Sequence, residues 1–260
     1  VAVARRLLQD HEPNSMHIQL LNLLFRSVGG SFQTNLKDGT DLEELDDNEW
    51  DNLVTEVVQV MRDSDLELLT ATPDDKLGTR EYRAIYHEFW YRLGTVILSF
   101  TPVGQIDEEG EPKASSSNFT SNRFQVELMR DLISRMTELV LVGQPDLRAA
   151  ATTAVWELAK ASMERTVELT AKLDTAQRQH TASKGQSRKL QALEHSIDTW
   201  KRHKTELEVV VEEAVIQGVF IRRYRDSNAH IRRESLDTLR ELILLRPDIF
   251  LKGEKLGQQN

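Results

Sequence analysis

Apolar residues recur along this chain at helical spacing almost from end to end. Ile18, Leu21, Leu24, Phe25 and Val28 step by threes and fours and stop at Gly29-Gly30, which predicts an amphipathic helix ended by glycine. Leu53, Val57, Val60 and Met61 restart the period. After a turn-rich stretch around Pro73 and Gly78, Ile85, Phe89, Leu93 and Ile97 step by four within 82–100 and predict another helix. The polar Gly/Ser/Pro segment 104–122 reads as a flexible loop. No alternating period-two run of useful length occurs, so the expected fold class is all-α.

Two stretches repeat each other. Leu147-Arg148, Ala151, Val155 and Leu158 match Ile231-Arg232, Ser235, Leu239 and Leu242 in one register. This aliphatic-Arg, small, aliphatic, aliphatic pattern is that of the first helix of a HEAT repeat, where the small residue admits a neighbouring helix. Arg148 and Arg232 lie 84 residues apart, about two repeats of the usual ~40–47 residues. Asp226 precedes Arg232 by six residues, the spacing of the HEAT Asp–Arg pair, so both are assigned structural roles as each other's partner. Val142 stands at the matching place in the first copy. The architecture expected is a HEAT-like helical-repeat solenoid.

Between the two copies the period changes. Positions 190, 193, 197, 200, 204, 207, 211, 214, 218 and 221 alternate steps of three and four and are mostly apolar, a coiled-coil stripe over four heptads. Such a helix is roughly 50 Å long. The stretch from Leu147 to Leu173 is also unbroken helix-forming sequence, and the polar segment 182–187 separates the two. A long antiparallel hairpin protruding from the solenoid is expected, with Trp200 in its seam; the alternative is one long helix laid along the body. The organisation is then 1–145, N-terminal helical repeats with an acidic loop (38–51) and the flexible loop (104–122); 146–225, the long hairpin; and 226–260, the start of a further HEAT array.

Composition narrows the function. Of 260 residues, 39% are apolar and 29% charged, a balance suited to an elongated helical protein rather than a compact enzyme. No apolar stretch is long enough to span a membrane and no signal peptide opens the chain; the start at Val1 suggests a cut fragment. Cysteine is absent, which removes disulfides and thiol chemistry. None of the seven His residues forms a close metal-binding pair, and no phosphate-binding glycine loop or nucleophile elbow is present. Neither a cofactor nor catalysis is expected. The net charge of -9 is uneven: residues 1–130 hold 12 Lys/Arg against 23 Asp/Glu, residues 131–260 hold 21 against 19. Nine acids and no Lys or Arg lie between Asp38 and Glu56, a solvated face or a docking site for a basic partner.

Two short motifs resemble a known family. Leu173-Asp-Thr-Ala-Gln-Arg-Gln179 is similar to the DNTQRQ signature of the stromal antigen (STAG) subunits of cohesin. Gly218-Val-Phe-Ile-Arg-Arg-Tyr-Arg-Asp226 is similar to the opening of that family's stromal conserved region, usually GxFVHRYRD, with Arg222 where the family has His. Parallels at 18–29, 80–100 and 145–158 follow in the same order, in the manner of a fungal-type member. The resemblance implies a non-catalytic HEAT accessory subunit of a chromosome-tethering ring, acting in the nucleus in sister-chromatid cohesion. Its implied partners are double-stranded DNA, the kleisin and other cohesin subunits, and the cohesin loader.

The residues themselves point to phosphate. Arg222, Arg223, Arg225, Arg232 and Arg233 place five guanidinium groups within twelve residues, and Arg suits bidentate phosphate contact. With Arg232 assigned to Asp226, the expected DNA contacts are Arg222, Arg223, Arg225 and Arg233, extended by Lys201, Arg202 and Lys204. Lys184, Arg188 and Lys189 at the hairpin tip are further cations, and Tyr224 and the Trp residues read as core or half-core. A HEAT surface offers no element shaped for a groove, so contact is expected to ignore base sequence. The competing reading is a protein-only HEAT scaffold, which the net acidity favours.

Overall fold

In a computed structural model, residues 13–28, 47–62, 77–99, 117–182 and 187–250 are described, and they are helical with no strand among them. Helices α1 (Pro13–Ser27), α2 (Asp47–Arg62), α3 (Leu77–Ser99) and α4 (Ser117–Leu139) precede the long α5 (Pro145–Ala182) and α6 (Ser187–Val210). The chain then runs through a π-helix (Val211–Phe220) and a closing α-helical turn (Ile221–Arg223) into α7 (Ala229–Leu245) and the short α8 (Pro247–Phe250). The all-helical HEAT-like solenoid with its long hairpin is the architecture observed.

Two expected loops begin helices instead. Residues 47–51 of the acidic stretch form the first turn of α2, where acids favour the positive end of the helix dipole and Trp50 and Leu53 bury against the body. Residues 117–122 open α4, whose first turn is rich in the Ser, Asn and Thr that suit helix starts. The remaining parts of both segments, 38–46 and 104–116, lie outside the described residues, as do 183–186 and 251–260.

The core forms around the first half of α5. From Leu147 to Ala159 every residue is buried, so this stretch is covered on all sides. Its small residues make that possible. Gly94 of α3 lies so close that a Cβ there would stand 2.8 Å from the Cβ of Ala161 and 3.2 Å from Leu158 Cδ2. Gly94→Val is therefore expected to cost roughly 1–3 kcal/mol by overpacking, read as a lower urea midpoint at unchanged slope.

The buried stripe of α3 is Tyr86, Trp90, Leu93 and Ile97, while Ile85 is 68% exposed. A strict step of four drifts around a 3.6-residue helix, so Ile85 lies about 120° from Ile97 while Tyr86 lies about 20° away. An ionic cluster joins α3, α5 and α7: His87 Nδ1 is 2.8 Å from Glu157 Oε1, and Lys160 Nζ reaches Glu157 at 3.1 Å and Glu241 at 2.7 Å. Thr153 donates to the buried Glu234 at 2.6 Å, and burial pushes that carboxyl above its usual range.

The hairpin arms α5 and α6 run antiparallel. Leu173, Ala176 and Ile197 form a small apolar seam with Leu193 and Trp200 packed on it, and Trp200 also packs on the main core. Nearer the tip, His180 Nε2 and Glu194 Oε1 lie 2.9 Å apart across the arms.

The four-heptad stripe does not run to its end. Beyond Val211 the helix widens to i+5 bonding, with the Ile221 N–H donating to Ile216 O. Val211, Val215 and Val219 become the buried positions, and Ile221 is 55% exposed. The widened turn brings larger valines inward in place of Ala214 and Gly218, and Gly218 passes close to the Thr137 methyl.

His203 is buried in α6 with its Nε2 unpartnered. Burial, then the Arg202 and Arg165 charges, push it down to about 4. Its proton is taken up more readily by the unfolded chain, so its contribution is present above about pH 6.5 and lost as pH falls toward 4. Lowering pH from 7.5 to 5 should cost on the order of 2 kcal/mol at this residue. His203→Leu is expected to flatten that part of the stability–pH curve, measured by urea unfolding at the two pH values.

Candidate nucleic-acid interface

The arginine cluster sits where the π-helix hands over to α7. The chain leaves the closing helical turn, bends through residues 224–228 and starts α7 with Asn228 as N-cap, its side chain accepting the His230 N–H at 2.8 Å. Asp226 lies at the centre of the bend with its side chain 1% exposed.

The partner of Asp226 is not Arg232. Its carboxylate accepts two bonds from Arg148, Nε to Oδ2 at 2.8 Å and Nη2 to Oδ1 at 3.1 Å. Arg223 Nη1 adds a third at 2.6 Å and the Asn228 N–H a fourth at 2.8 Å. Burial works to raise this carboxyl, and the Arg148 bonds, with the Asn228 N–H and both cations, hold it below the usual carboxylate range. Arg232 binds backbone instead, Nη1 donating to the carbonyls of Asp226 at 2.6 Å and Ser227 at 2.9 Å. Arg148 does the same six and five residues back, to Val142 at 3.1 Å and Gly143 at 3.0 Å. The matching arginines thus brace matching turns, and the single Asp ties one turn to the other.

This geometry corrects the reading of Arg223. Its side chain is 15% exposed and committed to Asp226, so it is a structural residue rather than an outward phosphate ligand. Arg222, Arg225 and Arg233 remain exposed. The Arg225 guanidinium lies 4.8 Å from the Tyr224 ring centre. Tyr224 stacks on Phe220 at 5.3 Å, and Phe220 meets buried Trp156 edge-on at 6.3 Å. An exposed cation therefore rests on an aromatic column rooted in the core. Arg233 faces Asp237 at 3.6 Å, with side chains 78% and 65% exposed, a surface pair weak enough to yield to a phosphate.

Lys201, Arg202 and Lys204 are further away, since the 21 residues from Lys201 to Arg222 span roughly 30 Å of helix. Lys201 is exposed; Arg202 lies 3.9 Å from Glu206, and Lys204 lies 3.7 Å from Glu208. Lys184 is outside the described residues, as are the side chains of Arg188 and Lys189. The spacing rules had no means of finding Arg83 of α3, which faces His230 at the start of α7. Burial, then Arg83, His87 and Arg233, push His230 down. Among the described residues no group of three or more His, Asp or Glu side chains is placed to hold a metal ion, and no helix is long and apolar enough to cross a membrane.

The class these residues define is an all-helical repeat solenoid with a braced, arginine-faced junction. Among solved structures it is similar to the cohesin subunit Scc3 from Z. rouxii, with a TM-score of 0.72 and 19% identity over 96% of this chain. The likeness is one of fold, and this chain spans about a quarter (27%) of that one. No family model matches the sequence, and no curated protein matches it.

Proposed function

We propose that this chain is part of a non-catalytic cohesin accessory subunit that acts in sister-chromatid cohesion in the nucleus and contacts double-stranded DNA through phosphates alone. The observation that carries the reading is the exposed trio Arg222, Arg225 and Arg233 on a junction fixed by two buried arginine bonds to Asp226. Arginines held on a rigid bend can meet several phosphates with little ordering to be done on binding. The fold likeness to a cohesin subunit and the two STAG-like motifs give the context. Lys201, Arg202 and Lys204, roughly 30 Å back along the helix, would extend the contact by about one duplex turn (roughly 34 Å). Kleisin, other cohesin subunits and the loader are the protein partners that the family resemblance implies.

A mobility shift with random-sequence duplex at 50 and 200 mM salt tests this. Contact with three to five phosphates predicts a log–log salt slope of about -3 to -5 and a Kd of ~10⁻⁴–10⁻⁶ M at physiological salt. The net charge of -9 supports a second reading, a protein-only scaffold, and a chain that shifts no duplex at 50 mM salt would establish that one instead.

A further inference from the structure

One buried ionic cluster has no part in that reading. His87 of α3 stands between two carboxylates on two other helices. Its Nδ1 lies 2.8 Å from Glu157 Oε1 of α5, and its Nε2 lies 3.8 Å from Glu234 Oε1 of α7. Both carboxylates are buried, their side chains 7% and 8% exposed. A neutral imidazole has one N–H and one lone pair, so it serves one carboxylate and turns its lone pair toward the other. The imidazolium presents an N–H to each. Charge leads to the same result. Lys160 Nζ is shared between Glu157 at 3.1 Å and Glu241 at 2.7 Å. Among the described residues no Lys or Arg forms an ion pair with Glu234. Its Oε1 accepts from the Thr153 hydroxyl at 2.6 Å, and its Oε2 is buried without a partner.

We propose that His87 is held doubly protonated and clasps α3 to α5 and α7, so that this three-helix contact loosens when the imidazolium loses its proton. The groups that face it are Glu157 and Lys160 from α5 and Glu234 and His230 from α7, with Tyr86 of its own helix beside Glu234. Lys160 and His230 oppose its charge, and the two carboxylates favour it. Burial draws the imidazole down. The Glu157 bond, with the Glu234 and Glu157 charges, outweighs burial and leaves His87 above the ordinary histidine value. The contribution of the clasp is therefore full below about pH 6.5 and is lost as pH rises through the folded value. His203 has the opposite sign.

The test is histidine NMR on the whole 260-residue chain, labelled with carbon-13 at Cε1, the His87 signal being the one that His87→Gln removes. Its midpoint is expected above the ordinary value of about 6.5. Glu157→Gln and Glu234→Gln should each lower that midpoint by roughly one pH unit or more. Unmoved His180, His195 and His203 signals show that each variant is folded. Amide hydrogen exchange, corrected for its intrinsic pH dependence, is the second arm. Between pH 6.5 and 9 it should quicken about threefold or more in α3 and the first two turns of α7 but not in the hairpin arms. In His87→Gln it should be fast at both pH values. A His87 that titrates at or below 6.5, or whose midpoint ignores both carboxylates, would overturn the proposal. So would a neutral ring at pH 7 with the proton on Glu234, read from its carboxyl carbon shift, or exchange in α3 and α7 that does not change with pH. None of these readouts involves DNA, so the clasp and the proposed function fail separately.

Discussion

Arg148→Ala is expected to be among the most destabilising single changes in the molecule, at about 3–5 kcal/mol. The Asp226 side chain is 1% exposed, and Arg148 supplies two of its four strongest hydrogen bonds. Removing the guanidinium leaves a buried carboxylate short of charge, and it also releases the carbonyls of Val142 and Gly143. The turns that precede α5 and α7 loosen together, because one side chain serves both. Asp226→Asn should cost less, since the amide keeps the shape and one acceptor. Arg232→Ala should cost about 1 kcal/mol, because its bonds go to backbone oxygens that water can reach in part. At about 2–4 °C per kcal/mol for a chain of this size, Arg148→Ala should melt on the order of 10 °C below wild type. Equal melting of the Arg148→Ala and Arg232→Ala chains would remove the distinction drawn here. The acid side has a definite sign: the Asp226 carboxyl is held down, so its contribution is present above about pH 4 and is lost as pH falls through its folded value.

Helix content was legible because a 3.6-residue period is a local property, written within any eleven or so residues. What was not legible depends on partners far along the chain. The spacing of Asp226 to Arg232 suggested a pair within one repeat, whereas the observed partner, Arg148, lies 78 residues earlier. Nothing in the RRYR run distinguishes Arg223 from Arg222; only the path of the turn sends one guanidinium inward and the other out. Regular periods misled in two places. Ile85 fitted a step of four that a helix cannot keep on one face, and the heptad reading carried through Ala214 and Gly218 where the π-helix brings in Val215 and Val219. The first is plain helix geometry; the second is packing overriding a pattern, where larger side chains take the buried positions because a small change of helix phase lets them. The brace at Arg148 and Arg232 was half legible, as a repeated residue whose bonding could not be read.

Replacing Arg222, Arg225 and Arg233 together by Glu is expected to abolish binding to duplex of any sequence while the helical circular-dichroism signal stays. Arg222, Arg225 and Arg233 are exposed, and none of the three holds a buried partner. Their loss therefore removes phosphate contacts without removing a brace. Each swap deletes one positive charge and adds one negative, so the net charge goes from -9 to -15 and the surviving Lys201, Arg202 and Lys204 act against a stronger repulsion. Neutral replacement by Gln is the more informative partner experiment. It should reduce the salt slope by about one for each phosphate lost, from near -4 toward -1, before binding vanishes. Arg223→Glu is the contrasting change: a carboxylate set beside buried Asp226 should lower the melting temperature, because two acids would then share the Arg148 guanidinium. A folded Arg222, Arg225, Arg233→Glu chain that still shifts duplex with the wild-type slope would place the DNA contact on another face. An Arg223→Glu chain that melts like wild type but no longer binds would return Arg223 to the list of phosphate ligands and take the structural role from it.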